Sequence, residues 1–593
     1  MNPRNAAKLD HLRGLVHAGR LAEAGVLGQQ LVKADPADDQ AARLFSEINL
    51  FLNDQLRALY FAQRASELEP TDASHALHLA WVHRVQGKPA LALRVIDKAI
   101  ARLPDVVRLV DIRAAVLREM NRFVESVECA RQAVRRLPDD PSSLSTLAGS
   151  LLNTGRAEEA VAVIERAAHV ARADLALTSS RALFLNYAPN VRPEDVFEAH
   201  RDYGRLLDSH RGTGVDAHPN DREESRRIRV GLVSPDLRSH SVAHFLEPLL
   251  EHHDRSVLEL VVFYTNRARD SVTARLRPMA AQWIDTDVLS DAGIAAKVRA
   301  ERIDVLIECS GHTHANCLPT LHERPAPVQV TYCGYPNTTG LTQVDYRIVD
   351  RFTDPAPHAD ALHTERLIRL DPCFLCFRPP HDAPDVAPPP ALRNGFVTFG
   401  SFNSIQKISD GLIDAWGRVL TAVPSARLVL KSVNFADDAL RATIAARFAS
   451  GGIDAARLSL LKPEDKTANH LLAYAGVDVA LDPFPYNGTT TTCEALWMGV
   501  PVVTLAGNSH AGRVGLSLVN AVGSPELAGK TVTEYVDIAK RLAGDPKLLA
   551  GFRASLRPRM IASPLVDGPG FCRRFEGAMR TIWAQWCTAK VGP

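Results

Sequence analysis

The 593-residue sequence lacks both a long hydrophobic run and an excess of charge of either sign. No stretch approaches the roughly 20 uncharged apolar residues of a membrane helix, and the first residues have no apolar signal-peptide core, so we expect a cytoplasmic protein without a membrane segment. Lys and Arg number 69 against 68 Asp and Glu, for a formal net charge of +1. This near neutrality argues against bulk attraction to nucleic acid or anionic lipid, and we predict neither as a partner.

Cysteine is scarce and its pattern is incomplete. The nine cysteines include one Cys-x-x-Cys pair, Cys373 and Cys376, without the second pair that would complete a zinc site. We interpret them as structural thiols and predict no metal. Hydrophobic residues at 46% and charged residues at 23% make an ordinary globular composition, which excludes a disordered chain.

A repeat fills the first two hundred residues. Prolines recur at a 34-residue step: Pro36, Pro70, Pro104 and Pro138. Turn residues keep that step: Gly19, Asn53, Gly87, Asn121 and Gly155. Two helices per 34 residues, with a turn between them and a proline at the end, are typical of tetratricopeptide repeats. We predict an α-solenoid over residues 1–205 whose groove binds a protein or peptide; a spacer or an oligomerisation surface, and with it a homodimer, is the alternative.

The rest of the chain alternates short apolar runs with helical segments, which predicts two α/β domains. Residues 206–227 are polar and read as a linker, residues 228–380 form the first domain, and residues 381–593 form the second with closing helices. Parallel sheets of this kind bind ligands at the carboxyl ends of their strands. We therefore expect the active site in the cleft between the two domains.

Two strand ends of the first domain carry candidate residues. His240 and His244 follow the first strand in VSPDLRSHSVAH, and they share a face if both are helical. They suit a general base, a group that orients a hydroxyl, or a sugar ligand, while capping or packing is the alternative. A later strand, in IECSGHT, is followed by a second candidate group: Gly311, His312 and Thr313.

The second domain carries the strongest candidates. Asn403 and Lys407 follow the strand of TFGSFNSIQK, where a lysine suits a phosphate or a developing leaving-group charge, unless it is a solvated surface lysine. In FPYNGTTTTCE, amides and hydroxyls converge at a predicted helix start: Gly488, Thr489, Thr490, Thr491 and Thr492. This arrangement favours a diphosphate, and Glu494 can accept from ribose hydroxyls. There is no Walker motif near it, and an ordinary capped helix is the alternative.

Taken together, these segments resemble the catalytic region of the tetratricopeptide-bearing protein O-glycosyltransferases, the family of the O-linked N-acetylglucosamine transferase and the plant SPINDLY proteins. The resemblance runs from about Arg229 to about Pro564 through RPAPVQVTYCGYPNTTGL, DYRIVD, DPFPYNGTTTTCE and MGVPVVTLAG, in the family's order and after the repeats. It implies a two-domain fold of the GT-B type, inverting chemistry, a nucleotide sugar as co-substrate, and no required metal or other cofactor.

The resemblance also implies roles on the donor side. Lys407 matches the lysine that contacts the donor diphosphate and assists departure of the leaving group. The amides and hydroxyls of Thr489–Thr491 match positions that hold the phosphates. Glu494 matches a ribose-contacting acid, and His470 matches a histidine beside the nucleobase.

On the acceptor side the resemblance does not identify which residue acts as the general base. His240 and His244 fall on the active-site histidine segment, and Gly311–Thr313 falls on a loop against the sugar and the acceptor. Asp304 stands where the O-linked N-acetylglucosamine transferase has a histidine proposed as base, as it does in SPINDLY. We count Asp304 among the catalytic candidates.

The donor and the acceptor remain predictions. The segment FPYNGTTTTCE resembles that of SPINDLY, which implies GDP-fucose as the donor. Resemblance to the broader family implies UDP-N-acetylglucosamine, and flagellin-modifying relatives use other activated sugars. We favour GDP-fucose and transfer to Ser or Thr hydroxyls of a protein captured by the repeats. The alternative from another class is an inactive transferase-like scaffold, against which the retained Lys407 and threonine run argue.

Overall fold

A computed structural model describes residues 3–17, 20–210, 218–464 and 467–589. Gly19 of the turn series and residues 211–217 of the predicted linker lie outside the described residues. The chain divides into two compact units, residues 1–154 and residues 155–593. Over the described ranges, every helix is too short or too polar to cross a bilayer.

The first unit consists of consecutive helix pairs followed by a single helix, α9. Its helices are α1 (Pro3–His17), α2 (Leu21–Ala34), α3 (Asp39–Phe51), α4 (Gln55–Leu68), α5 (Ala73–Val85), α6 (Pro89–Arg102), α7 (Val107–Glu119), α8 (Phe123–Arg136) and α9 (Pro141–Leu152). Asn53, Gly87 and Asn121 lie between paired helices with φ of 61°, 69° and 57°, the left-handed region that glycine and asparagine tolerate best. The repeat prediction is confirmed, because the recurring residues stand where two helices must reverse.

The second unit opens with three more helices. These are α10 (Ala157–Val170), α11 (Leu175–Leu185) and α12 (Pro193–His210). Tyr203 and Leu207 of α12 are buried in one core with Val233 and Phe263 from the strands that follow. The compact α/β unit therefore includes helices that the 34-residue period places in the solenoid, because their apolar side is buried against the first sheet.

The first sheet has seven parallel strands. They are β1 (Ile228–Ser234), β2 (Leu258–Tyr264), β3 (Gln282–Asp285), β4 (Val305–Glu308), β5 (Val328–Thr331), β6 (Tyr346–Val349) and β7 (Arg366–Arg369). The helices of this domain are α13 (Ala243–His252), α14 (Ser271–Leu276), α15 (Asp291–Ala300) and α16 (Leu318–His322). The order β3-β2-β1-β4-β5-β6-β7 places the reversal of strand order between β1 and β4, where a ligand crevice is expected.

The second sheet has six parallel strands in the doubly wound order β10-β9-β8-β11-β12-β13. They are β8 (Thr398–Ser401), β9 (Arg427–Lys431), β10 (Leu458–Leu461), β11 (Val479–Leu481), β12 (Val502–Leu505) and β13 (Ala528–Gly529). The helices are α17 (Ala391–Asn394), α18 (Asp410–Ala422), α19 (Asp438–Ser450), α20 (Thr467–Leu472), α21 (Thr490–Trp497), α22 (Val514–Ala521), α23 (Val532–Gly544), α24 (Pro546–Ile561) and α25 (Gly568–Thr588). The predicted fold class, a helical repeat array followed by two parallel α/β sheets, is confirmed.

The last helix, α25, returns to the first α/β domain. The Glu576 carboxylate accepts a hydrogen bond of 2.7 Å from the Asp254 amide, and the ring of Phe571 stacks on Tyr332 with centroids 6.4 Å apart. Next to it, the Arg222 guanidinium of the described linker residues lies 4.2 Å from the Trp586 ring centroid. These contacts join the end of the chain to the domain with which the α/β part begins.

Candidate active site

The carboxyl edges of the two sheets face each other across a cleft of about 460 Å³. Ser239 and His244 line it from the first domain. The second domain contributes the last residue of β9 and residues that follow β8, β10 and β11, among them Phe402, Asn403, Lys431, His470 and Glu494. The cleft is therefore at the strand ends where the sequence predicts it.

Lys407 ends a short 3-10 helix, Ile405–Lys407, that follows β8. Its Nζ donates a hydrogen bond of 2.6 Å to the carbonyl of Asn487 and lies 4.2 Å from the centroid of the Tyr486 ring. Burial lowers the pKa of Lys407 to about 8, and the carboxylate of Asp482 opposes that shift. A lysine with this pKa is still mostly protonated at neutral pH, so it brings a poorly solvated positive charge to the turn between β11 and α21.

The predicted glycine and threonine turn is held by a buried carboxylate. Asp482 follows β11, and its two oxygens accept bonds of 2.7 Å from the Gly488 amide and 2.7 Å from the Thr504 hydroxyl. Burial raises the pKa of Asp482 to about 6. A Cβ at Gly488 would come within 2.6 Å of the Thr491 hydroxyl, so only glycine fits without a shift.

The helix α21 starts at this turn without a cap. Thr489 occupies the capping position but makes no side-chain capping hydrogen bond, and among the described residues the buried Thr490 hydroxyl has no hydrogen-bond partner. Unpaired first-turn amides and the positive end of the helix dipole favour an anion here. Both features fit a diphosphate better than an ordinary capped helix.

The remaining donor-side candidates lie along the same cleft. His470 Nε2 is 3.1 Å from Glu494 Oε2, and its ring centroid is 6.0 Å from that of Phe402. The Thr491 hydroxyl donates to Asn403 Oδ1 at 3.0 Å, which ties the loop after β8 to the threonine turn. The fold thus brings together Asn403 and Thr491, which are 88 residues apart in the sequence.

The two histidines after β1 do not share a helical face. The helix α13 begins at Ala243, so His240 precedes it and His244 lies in its first turn. His240 is 39% exposed, burial lowers its pKa, and its Nδ1 accepts from the Val242 amide at 3.3 Å. His244 Nδ1 lies 3.2 Å from the Arg378 carbonyl, and its ring stacks on Phe377 at 5.7 Å.

Both histidines line a second cavity of about 410 Å³. Ser239, His244 and Thr467 line this cavity and the first cleft alike, so the two are adjacent. The predicted histidine segment is therefore next to the donor-side candidates, although the condition for a shared helical face is not met because His240 precedes the helix.

His312, which the resemblance places with Gly311 and Thr313 on a loop against the sugar and the acceptor, is buried and hydrogen-bonded to protein groups. It is 3% exposed, with Nδ1 2.9 Å from the Ser179 hydroxyl of α11 and Nε2 2.9 Å from the Thr339 carbonyl. Burial lowers its pKa to about 4. Gly311 has φ of 54° and donates its amide to Glu308, while the Thr313 hydroxyl donates to the Ser310 carbonyl at 2.7 Å. The loop therefore satisfies most of its polar groups internally.

Asp304 is a structural residue, which corrects its place among the catalytic candidates. It precedes β4 and so lies at the amino edge of the sheet, opposite the edge where ligands of parallel sheets bind. It is 1% exposed, forms a paired ion bridge of 2.7 Å with Arg226, and accepts from the Arg229 amide and the Asn220 side chain at 2.8 Å. Every one of these contacts is internal.

Two further residues of the site were missed from the sequence. Lys431 ends β9 and Asp482 follows β11, in the segments ARLVLKS and VDVALDP. Each is a charged residue at the carboxyl end of a buried apolar strand, which is the signal that singles out Lys407. Applied to every strand, that signal would have found both.

Metal ligands do not gather in the cleft among the described residues. The described side chains that come close enough to hold an ion are Asp39, Asp72 and His75, in the repeats. Cys373 and Cys376 are buried free thiols, and burial raises the pKa of each to about 12, so both stay protonated.

The sequence profile of glycosyl transferase family 41 matches residues 213–377 and 390–575, more than half of the chain. The chain belongs to this family. It is 43% identical over 417 residues to the probable UDP-N-acetylglucosamine–peptide N-acetylglucosaminyltransferase SPINDLY of Arabidopsis thaliana, an alignment that covers 70% of this chain and 45% of that protein. The similarly named SEC protein of the same plant is 28% identical, over 62% of this chain and 38% of that protein.

Among solved structures, a mutant O-GlcNAc transferase of Thermobaculum terrenum matches with a TM-score of 0.81 and 34% identity, over 87% of this chain and 98% of that one. The chain spans less than half the length of the curated relatives that it matches.

Proposed function

We propose that the protein is an inverting protein O-glycosyltransferase. It transfers a sugar from a nucleoside diphosphate donor to a Ser or Thr hydroxyl of a protein that the repeats capture. The observation that carries the proposal is the contact of a half-buried lysine, Lys407, with the turn that leads into the uncapped start of α21, because both groups favour an anion.

The chemistry follows from where charge develops. An acceptor hydroxyl attacks the anomeric carbon from the face opposite the diphosphate, the new C–O bond inverts that carbon, and the bond to the diphosphate oxygen breaks. The hydroxyl loses its proton to a base on the acceptor side as the C–O bond forms. The departing diphosphate gains negative charge, which the Lys407 ammonium and the first amides of α21 stabilise in place of a metal ion. The cavity of His240 and His244 adjoins the cleft and takes the acceptor side in this proposal.

For the donor we propose GDP-fucose. The higher identity to SPINDLY than to SEC, 43% against 28%, supports it, together with the wording FPYNGTTTTCE. The alternative donor is UDP-N-acetylglucosamine, which appears in the names of both relatives. Other activated sugars are a third option.

The test is transfer measured by intact-protein mass spectrometry. Proteins that co-purify with the full chain are incubated with it and either GDP-fucose or UDP-N-acetylglucosamine, with and without EDTA. We expect a deoxyhexose increment with GDP-fucose that EDTA leaves unchanged. An N-acetylhexosamine increment would show that the donor is UDP-N-acetylglucosamine and not GDP-fucose. If no nucleotide sugar gave an increment, an inactive repeat scaffold would be favoured over a transferase.

A further inference from the structure

Lys431 is a buried cation without a hydrogen-bond partner in the wall of the cleft. It is 4% exposed, and among the described residues nothing accepts a hydrogen bond from its Nζ. The Nζ lies 5.7 Å from the centroid of the Phe402 ring, and the side chain lines the same cavity as His470 and Glu494. A buried ammonium with three donors and no acceptor is costly unless a ligand completes it.

The position of Lys431 favours a contact with the nucleoside of the donor over a contact with its diphosphate. It ends β9, while Asp482 and the threonine turn follow β11, and β8 lies between these two strands. Since neighbouring strands are about 4.8 Å apart, the end of β9 lies roughly 10 Å from the end of β11. Lys407 and the start of α21 already serve the phosphate side, so Lys431 meets a different part of the donor.

The charges around Lys431 define what it can recognise. Burial lowers its pKa, and the carboxylates of Glu464 and Glu494 oppose that shift. Glu464 is exposed at the rim of the same cavity. A cation beside a carboxylate matches a base edge on which an acceptor stands next to N–H donors. Guanine has that edge, with O6 and N7 as acceptors and N1–H and the exocyclic amine as donors. Uracil has a shorter form of it, O4 beside N3–H, with one acceptor and one donor fewer, and adenine and cytosine present an amino donor that a lysine repels.

We propose that Lys431 reads the nucleobase of the donor and selects guanine. Its ammonium donates to O6 and N7, and the Glu464 carboxylate accepts from N1–H and the exocyclic amine. This inference rests on the proposed function, because it assigns one part of the donor to one part of that cleft.

The test is calorimetric titration of the full chain with GDP, IDP, ADP and UDP. IDP keeps O6, N7 and N1–H but lacks the exocyclic amine, and ADP replaces the keto oxygen with an amine. We expect the unmodified protein to bind GDP about tenfold or more tightly than ADP, with the affinity for IDP between the two because IDP loses only the bond from the exocyclic amine to Glu464. Lys431→Met should weaken the binding of GDP and IDP about tenfold and leave the affinity for ADP unchanged. Lys431→Arg should keep most of the preference for GDP over ADP, since arginine also donates to O6 and N7.

The matched control is Lys462→Met. Lys462 directly follows the neighbouring strand β10, but its side chain is 57% exposed and pairs with Asp438 at 3.2 Å, so its loss should change no affinity. Equal weakening of all four nucleotides by Lys431→Met would assign the lysine to the ribose or the phosphates and overturn the inference. Unchanged GDP binding in that variant, or tighter binding of UDP than of GDP by the unmodified protein, would overturn it too. If the unmodified protein bound no nucleoside diphosphate, the proposed function would fall together with the inference; GDP binding that ignores Lys431 would remove the inference alone.

Discussion

The loops after β4 and β11 occupy equivalent places in the two α/β domains. Each follows the strand at which strand order reverses, and in each a buried carboxylate accepts from a glycine amide. Glu308 accepts from Gly311 at 2.9 Å, and Asp482 accepts from Gly488 at 2.7 Å. Burial raises the pKa of Glu308 to about 7 and that of Asp482 to about 6.

Beyond the glycine the two loops differ. In the first domain the next residue, His312, is bonded at both ring nitrogens to α11 and to the loop after β5. In the second domain the threonines lead into an uncapped helix, and the Thr490 hydroxyl has no partner among the residues described. Each loop leaves one buried hydroxyl without a partner among the described residues, Ser310 in the first and Thr490 in the second. The first loop nevertheless binds its histidine to protein groups, whereas the second leads into a helix start that no side chain caps.

The largest expected effect is the loss of the cation that faces the second loop. Lys407→Met should lower transfer by about 10²-fold or more, the scale of losing one electrostatic stabiliser in a preorganised site. Transfer rates from the mass-spectrometric assay measure it, with Tm as the control for folding. Glu308→Gln is the matched change in the first domain, and it should leave transfer within a few-fold. A Lys407→Met protein that folds and transfers at the normal rate would remove the lysine from the mechanism.

The second prediction uses the raised pKa of the first loop's carboxylate. Folded Glu308 keeps its proton up to about pH 7, whereas the unfolded chain releases it near the ordinary value of 4.5. The stabilisation is therefore complete below pH 4.5 and is lost as the pH rises toward 7, by up to about 3 kcal/mol.

Glu308→Gln isolates this effect because an amide keeps an oxygen that accepts from the Ser310 and Gly311 amides but does not titrate. Tm measured at pH 5 and pH 8 should fall more for the unmodified protein than for Glu308→Gln. Equal falls in the two proteins would show that Glu308 is ionised in the folded state.

The smallest expected effects are those of replacing two histidines, one from each domain. His312→Ala removes a buried ring and two hydrogen bonds, so it should lower the free energy of unfolding by about 2 kcal/mol. Nucleotide affinity per folded molecule should stay the same. His470→Ala, at the half-buried Glu494 contact, should do the reverse and weaken nucleotide binding about tenfold with little change in Tm. Calorimetric titration beside thermal unfolding tests both, and weaker nucleotide binding by His312→Ala would place the first loop in the donor site after all.

The parts that could be predicted from the sequence were the local ones. The 34-residue step gave the turns at Asn53 and Gly87, because a helix reversal demands a left-handed residue wherever it occurs. The strands could be read from their apolar runs, since a parallel sheet buries both faces of its strands. The placement of Lys407 and Gly488–Thr492 at the carboxyl edge of the second sheet could be predicted, because a charged or glycine-rich segment directly after a buried strand lies at that edge.

The errors came from residues whose roles depend on distant partners. Asp304 adjoins a strand, as a catalytic residue would, but its position at the amino edge and its bridge to Arg226 emerge only when the strands are assembled. His240 and His244 are four residues apart, yet the helix starts between them at Ala243. Local spacing cannot say at which residue tertiary packing will begin a helix.

The sequence by itself determined the repeat and the two parallel α/β sheets, and it located the residues that we propose for the phosphates, because each depends on groups within a few residues of one another. Only the tertiary structure decided which polar groups stay unpaired. His312 is satisfied by Ser179, 133 residues away, whereas Lys431 ends a strand where no described residue accepts its hydrogen bonds. A hydrogen bond is completed by whatever group the fold brings near, so whether a histidine or a lysine serves packing or a ligand is settled only once the whole chain is folded.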